Sequence, residues 1–379
     1  MDVMWNTNDL EQKLMLKAAA MRQPIYGVVE LLPLCNMNCD MCYVRLSRQE
    51  MEKKGRLRTV DEWLELAQQM RDAGTLVLLL TGGEPLLYPD FKRLYTELLS
   101  MGMIVLINTN GTLIDEEWAS FFGMHKPRQI SITLYGANEN VYANLCHYPG
   151  GYEKVLRGVR LLKAQGVEVK LSGTAVRANY EDRFEILRIA KELSVPAQTD
   201  SYVYPATRER DKPYNKQARF DPVTAARVRV EMMKAEHTPE QFKANALGVL
   251  YRATHTPPGE DKPGEMKCHA GRSMFVINWQ GQMRPCVMLS EPSVPVFEQG
   301  FAQSWRMIVE GVDQIRLSSK CSQCTLRNVC NTCAACALHE SGSYDGVPEY
   351  ACRYTVETLN CLAAEMKALT EQQRKENEE

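Results

Sequence analysis

The sequence has no excess of charge of either sign. Its 45 Lys and Arg stand against 47 Asp and Glu, a net charge of −2 over 379 residues, which offers no broad basic surface to a phosphate backbone. It has no run approaching the roughly 20 apolar residues that a bilayer span requires. The N-terminus, MDVMWNTNDLEQKL, lacks the basic-then-apolar layout of a secretory signal. These absences argue against nucleic acid and membrane as partners and predict a cytoplasmic chain. Disulfides do not persist in that reducing compartment, yet the chain holds 13 cysteines. Thiols in such number suggest metal. No internal repeat is evident, and the charged tail EQQRKENEE carries no assigned role.

With 45% hydrophobic and 24% charged residues, the chain can build a sizeable core and two or three domains. The cysteines are not scattered. Cys35, Cys39 and Cys42 form one group, nine more lie from Cys268 to Cys361, and only Cys146 falls between. Two sites, or groups of sites, are implied.

From residue 28 to about 204, β-rich apolar runs alternate with helical patterns. The strand candidates are VVELLPL (28–34), LVLLLT (76–81), MIVLINT (103–109), QISITLY (129–135), VEVKLSGTAV (167–176) and AQTDSYVY (197–204). Near-continuous apolar runs suit parallel strands buried on both faces. Thr59 with Glu62 three residues on forms a capping box, ahead of Trp63, Leu66, Ala67 and Met70 at helical spacing. Other helices are expected from about Asp90, Glu116, Tyr152 and Glu181. Six strand-helix units in series predict an α/β fold, a βα barrel or an open sheet, with the reactive loops beyond the strand C-termini. Residues 205–265 are proline-rich around helical stretches at 222–235 and 239–252 and read as a connecting segment. The remainder to about 352 is dense in Cys and Gly, as expected where metal replaces a hydrophobic core, and a last helix is predicted over 354–369.

The cysteine triplet follows the first strand with C-x3-C-x2-C spacing. Four cysteines close an iron-sulfur cube, whereas three leave one iron open to a substrate. A structural zinc site would want a fourth ligand such as His, and the nearest downstream is His125. Together with TGGEP at 81–85 after the second strand, this loop resembles that of the radical SAM enzymes. The resemblance implies a partial (β/α)6 TIM-like barrel over residues 1–204. It implies a three-cysteine [4Fe-4S] cluster on Cys35, Cys39 and Cys42 that chelates S-adenosylmethionine and cleaves it reductively to a 5'-deoxyadenosyl radical, which abstracts a substrate hydrogen. By the same resemblance, Gly82, Gly83 and Glu84 would receive the methionine ammonium through backbone and carboxylate. Asn108 and Asn110, with Ser131 or Thr133, would meet the ribose and the carboxylate. Arg177 would pair with the carboxylate as a bidentate donor, and Tyr43 would pack on the adenine, since Met41 stands where the family often has an aromatic.

Cys268, Gly281 and Cys286, then Cys321, Cys324, Cys330, Cys333 and Cys352, resemble the SPASM extension of that family, which predicts a Cys-rich α+β domain over 266–379 with one or two auxiliary [4Fe-4S] clusters. The resemblance puts Cys321, Cys324, Cys330 and Cys352 on a distal cluster and Cys268, Cys286 and Cys333 on a proximal one. C-x2-C-x5-C-x2-C followed by Cys336 leaves open whether Cys333 or Cys336 takes the sixth position, and structural zinc is the rival occupant. The upstream position that some relatives fill with cysteine offers only Lys262. Cys361 reads as a buried thiol and Cys146 as packing.

Enzymes of this kind modify ribosomally made peptides or proteins by crosslinking or oxidation, so the expected substrate is a peptide and the expected reductant a flavodoxin or ferredoxin. Val287 stands where sulfatase-type maturases place an aspartate. The residues before the first strand are too few for a winged peptide-binding domain, which implies a separate leader-binding protein. A tetrapyrrole or another small molecule is the alternative substrate, and a non-catalytic electron-transfer or zinc-binding protein the alternative class.

Overall fold

The structure, a computed structural model, describes residues 9–204, 218–255, 264–266, 268–330 and 333–378. Pro205, Pro213, Pro257, Pro258, Lys262 and Pro263 of the expected connecting segment lie outside the described residues. Six parallel strands, β1 (Tyr26–Glu30), β2 (Val77–Thr81), β3 (Ile104–Thr109), β4 (Gln129–Thr133), β5 (Val169–Thr174) and β6 (Ala197–Asp200), pair in chain order. The strands alternate in facing. Leu78, Leu80, Val105, Ile107, Ile130, Ile132 and Leu171 are fully buried under the helices. The opposite phase faces a concave lumen and turns polar over β4 to β6, with Gln129, Ser131, Lys170, Ser172, Gln198 and Asp200. The expectation of strands buried on both faces therefore fails there, because an open partial barrel leaves its lumen for ligand.

The helices α3 (Val60–Asp72), α4 (Phe91–Ser100), α5 (Glu116–Met124), α7 (Gly151–Ala164) and α8 (Arg183–Glu192) cover the convex face close to their expected starts. In the Thr59 capping box, Glu62 N donates to Thr59 Oγ1 at 3.2 Å and Thr59 N to Glu62 Oε2 at 2.7 Å. Three helices had no strong periodic signal: α1 (Asp9–Ala20), α2 (Arg48–Lys54) and α6 (Glu139–Leu145). Met15 and Ala18 of α1 pack on Tyr26, Val28 and Val276. This closes one end of the concave face.

Beyond residue 268 the sheet continues. Strand β7 (Met274–Ile277) pairs parallel to β1, and β8 (Gln282–Arg284) and β9 (Val294–Pro295) follow antiparallel, giving a nine-stranded sheet. Helices α9 (Pro222–Glu236), α10 (Pro239–Thr254), α11 (Phe301–Gln314), α12 (Ala334–Ser341) and α13 (Glu349–Glu378) complete the described elements used below. Metal does not replace the core over 274–316. Phe275, Phe301, Ile308 and Val312 are buried in the same cluster as the barrel strands, with Phe275 edge-on to Phe301 at 5.0 Å. Trp305 Nε1 donates to Arg22 O at 2.8 Å and ties α11 to the barrel. Helix α13 is longer than the predicted 354–369 and includes most of the charged tail. Cys361 on it is half-buried beside Leu362.

Because Phe275 is fully enclosed between the barrel and α11, Phe275→Ala should destabilise the protein by about 3–5 kcal/mol. The anaerobically purified chain should still lose barrel and β7–β9 signals in a single denaturant transition. A separate early transition confined to the C-terminal part would show that the two do not share one core.

Candidate functional site

The chain leaves β1 as an extended segment, residues 31–34, that lies along the TGGEP loop. Leu31 N donates to Thr81 O at 2.9 Å, Gly83 N to Leu32 O at 2.7 Å, and Glu84 N to Leu34 O at 2.9 Å. A Cβ on Gly82 would stand 2.4 Å from Leu32 O, and one on Gly83 2.2 Å from Leu34 O. Glycine is required here because backbone meets backbone. The close approach is thus to the chain's own first strand.

Glu84 follows, fully buried. Its Oε1 accepts from Thr109 Oγ1 at 2.7 Å and Leu86 N at 3.1 Å, and its Oε2 accepts from Asn110 N at 2.8 Å. Burial pushes the carboxyl up to about 7, against the pull of these three donors. The expectation was that this carboxylate meets a ligand ammonium; here it is fully buried and pins the TGGEP loop to the end of β3.

Asn110 is likewise engaged. Its Nδ2 donates to Asn36 Oδ1 at 2.8 Å and approaches Cys35 Sγ at 3.6 Å, while its Oδ1 accepts from Thr112 N at 2.9 Å and Thr112 Oγ1 at 2.7 Å. Asn36 Nδ2 closes the ring on Thr112 Oγ1 at 2.8 Å. The expected contact of Asn110 with a cofactor ribose gives way to a scaffolding role. Asn36, Thr109 and Thr112 were not legible as site residues, since isolated loop polars carry no periodic signal.

This wiring brings Cys35, Cys39 and Cys42 together, close enough that each thiolate would repel the others. Met37 N donates to Cys35 Sγ at 3.4 Å and Arg45 N to Cys42 Sγ at 3.3 Å. Such donors stabilise thiolate and so favour metal ligation. Tyr43 is half-buried against the barrel core beside them. Among the described residues no three His, Cys, Asp or Glu side chains close on a point as for a single ion. Thiols that interact without converging on a point fit a polynuclear cluster, whose ligands attach at separate irons.

Asn108 and Ser131 line a lumen cavity of about 250 Å³, where Ser131 and Ser172 hydroxyls pair at 2.9 Å. Thr133 shares the facing of Ser131 but is not among the lining residues. Arg177 is exposed and is not among the residues lining this cavity, and Asn179 two residues on is tied to the strand ends. Asn179 accepts from Val176 N at 2.7 Å and donates to Thr174 O at 3.0 Å and Tyr135 O at 2.7 Å.

The later cysteines fall into two groups. Cys268, Cys286 and Cys333 interact with one another, and Cys286 Sγ accepts from Met288 N and Leu289 N, both at 3.3 Å. Cys321 interacts with Cys324, Cys330 and Cys352. Cys336 lies beside Cys333: it hydrogen-bonds that thiol and so holds it below the usual thiol range, and lies 3.5 Å from Tyr202 Oη.

The family profile described as Radical SAM superfamily matches residues 29–190. Among curated proteins, an AdoMet-dependent heme synthase of Methanosarcina barkeri is 25% identical over 330 residues, covering 83% of this chain and 92% of that one. Among solved structures, native anSMEcpe with bound AdoMet superposes with a TM-score of 0.68 at 16% identity, covering 92% of this chain and 100% of that one. Streptococcus suis SuiB bound to the precursor peptide SuiA gives 0.66 at 17% identity over 92% and 82%.

The chain carries a radical SAM domain over residues 29–190. Its fold is that of the superfamily's partial barrel with a SPASM-type C-terminal extension, and its cofactors are a [4Fe-4S] cluster and S-adenosylmethionine. This radical SAM enzyme carries the three thiols of the first loop where the barrel strands end, as the resemblance required.

Glu84→Gln replaces an acceptor oxygen with an NH2 that faces a donor. It should cost about 1–3 kcal/mol in denaturant titrations of the purified enzyme. The pH sign follows from the raised carboxyl: the wild-type contribution is full below about 4.5 and declines as pH rises through about 7. Wild type should therefore lose stability between those values relative to Glu84→Gln. Parallel curves would refute the pinning role.

Proposed function

We propose that this radical SAM enzyme modifies a ribosomally made peptide or protein, by crosslinking or oxidation. The carrying observation is the cavity beside β6, the last strand of the sheet. Pro196 O and Asp200 O accept from Leu171 N and Ala175 N, and Thr199, which turns its main-chain groups outward, is buried with its carbonyl accepting from Arg229 Nη1 at 3.5 Å. That strand lines a cavity of about 870 Å³ bounded by α9, α10 and α13, near the upper end of the range for small-ligand pockets. A cavity of that size lined by Lys170, Tyr202, Tyr204, Arg229 and Glu236 is suited to a peptide segment held through polar and aromatic side chains.

In this reading Cys35, Cys39 and Cys42 hold the cluster, the backbone of 82–84 takes the methionine ammonium, and Asn108 with Ser131 or Thr133 takes the ribose. When bound, the cofactor pair supplies on one-electron reduction the radical that removes a substrate hydrogen atom. The lumen residues orient the substrate there. Burial pushes the Lys170 ammonium down, and its Nζ donates to Gln198 Oε1 at 2.9 Å. Tyr202 and Tyr204 continue the cavity lining toward Cys333, so a substrate in the cavity has a short route for its surplus electron to a cluster on Cys268, Cys286 and Cys333. Cys321, Cys324, Cys330 and Cys352 would hold a second. A flavodoxin- or ferredoxin-type reductant and a separate leader-binding protein complete the proposal.

The relative named as an AdoMet-dependent heme synthase, matched over most of both chains, supports a second reading with a tetrapyrrole substrate. Candidate peptides and iron-coproporphyrin III, each offered anaerobically with S-adenosylmethionine and dithionite, distinguish them by 5'-deoxyadenosine release. Stimulation by the porphyrin alone would overturn the peptide reading. For the ligands, the purified enzyme should contain about twelve irons, and about eight in a Cys35/Cys39/Cys42→Ala variant, at four per cube. Unchanged iron in that variant would remove the cluster from this loop.

A further inference from the structure

Lys170 is the second residue of β5 and lines both the lumen cavity beside Ser131 and the larger one that opens past β6. Sheet register sets it opposite Ser131 of β4. Its side chain is half-buried, and Nζ donates to Gln198 Oε1 at 2.9 Å. An ammonium carries three donors, so that bond leaves two for a ligand. Among the described residues no carboxylate pairs with it; burial pushes the ammonium down and no charged neighbour opposes that.

The acids that line the two cavities, Asp200 and Glu236, are committed elsewhere. Glu236 accepts from Arg229 Nη1 at 3.2 Å and from Thr199 Oγ1. Asp200 Oδ1 accepts from Ser201 N at 2.7 Å and Tyr202 N at 2.9 Å, and its charged neighbour is Arg229. Both acids therefore answer to Arg229, and Lys170 stands in a partly enclosed wall without a counter-ion. Taking an ammonium out of water is costly unless a partner compensates it. Packing gives no reason for the charge, because an uncharged stem of the same length would fill the space without that cost. The partner that accounts for Lys170 is an anion received by the cavity.

The neutral donors around it narrow the class. The Ser131 and Ser172 hydroxyls pair at 2.9 Å in the same wall, and the Gln198 amide stands beside them. One cation among neutral donors matches the single charge of a carboxylate. A phosphate monoester, close to two charges at neutral pH, would call for a second unpaired cation.

We propose that Lys170 is a specificity-determining residue that binds a carboxylate of the substrate in the lumen. The inference rests on the cavity being the substrate site, as in the reading above, and gives that substrate its chemistry: an acidic side chain of a peptide, with a tetrapyrrole propionate as the other source of the same group. A substrate with an amide or ester in that place leaves the ammonium uncompensated and is rejected for that reason.

The test is equilibrium binding to the full-length reconstituted enzyme with S-adenosylmethionine and no reductant, so that no turnover enters the measurement. Iron-coproporphyrin III and its tetramethyl ester are titrated by absorbance, and blocked alanine pentapeptides with a central glutamate or glutamine by calorimetry. In the wild type the acid should bind about tenfold or more tightly than its neutral counterpart in one of the two series. Lys170→Met and Lys170→Gln should abolish that preference and Lys170→Arg should keep it, with iron content and S-adenosylmethionine affinity unchanged in all three. Absence of the preference in both series, or its survival in Lys170→Met and Lys170→Gln, would overturn the proposal. A loss of S-adenosylmethionine affinity in the two neutral variants would overturn it as well, since the ammonium would then serve the cofactor's carboxylate. A Lys170-dependent preference in the porphyrin series alone would uphold the carboxylate site and sink the peptide reading, so the two can fail separately.

Discussion

Backbone laid directly against backbone is the constraint on which the site depends. Residues 31–34 and the TGGEP loop share main-chain hydrogen bonds with no side chain between them, which only Gly82 and Gly83 permit. This contact fixes where the chain emerges from β1, and with it the direction in which the cysteine loop sets out. Glu84 then carries the constraint across to β3 through Thr109 and Asn110, and Asn110 returns it to the loop through Asn36. Three consecutive strand ends are thereby locked into one unit. A loop of three thiols that must bind a cluster in a single geometry needs such outside support, because its own eight residues contain no secondary structure to stiffen it.

The second architectural fact is that the barrel is open on one side and extended on the other. At β1 the sheet gains β7–β9 and shares a core with α11, so the region carrying Cys268 and Cys286 is anchored to the same strand that launches the first cysteine loop. At β6 the sheet stops, and that strand borders a cavity that reaches from Gln129 and Lys170 to Asn328 and Val329. The cysteine-rich end therefore closes over the cavity while remaining rigidly tied to the barrel. Electron exchange between a substrate there and an auxiliary cluster needs fixed spacing of this kind.

Much of this was legible in the sequence. The six parallel strands followed their β-rich runs to within a few residues, and the capping box at Thr59 marked its helix, because both signals are local and strong. Helices α1, α2 and α6 were not, since short segments with weak amphipathicity are held by tertiary packing. Strand β7 is only four residues long and pairs with a partner almost 250 positions away, which no local pattern announces. Polar residues behaved similarly. Glu84 and Asn110 could be recognised as belonging to the site from their motifs, but the partners that tie them to other segments, Thr109 and Asn36, lie 25 and 74 residues off in sequence.

The sequence by itself determined the chemistry available: three thiols at C-x3-C-x2-C after a strand, a Gly-Gly-Glu turn after the next, and a second dense group of cysteines toward the C-terminus. Spacing and residue type are properties of the chain, and they carry the family membership. Only the tertiary structure decided which polar side chains are free for a ligand and which are consumed in holding the loop. Only it set Cys333 against Cys268 and Cys286, with Cys336 beside it, and laid the backbone of Cys146 along the first cysteine loop. Those outcomes depend on distances between segments far apart in sequence, which the packing of the strands and helices fixes.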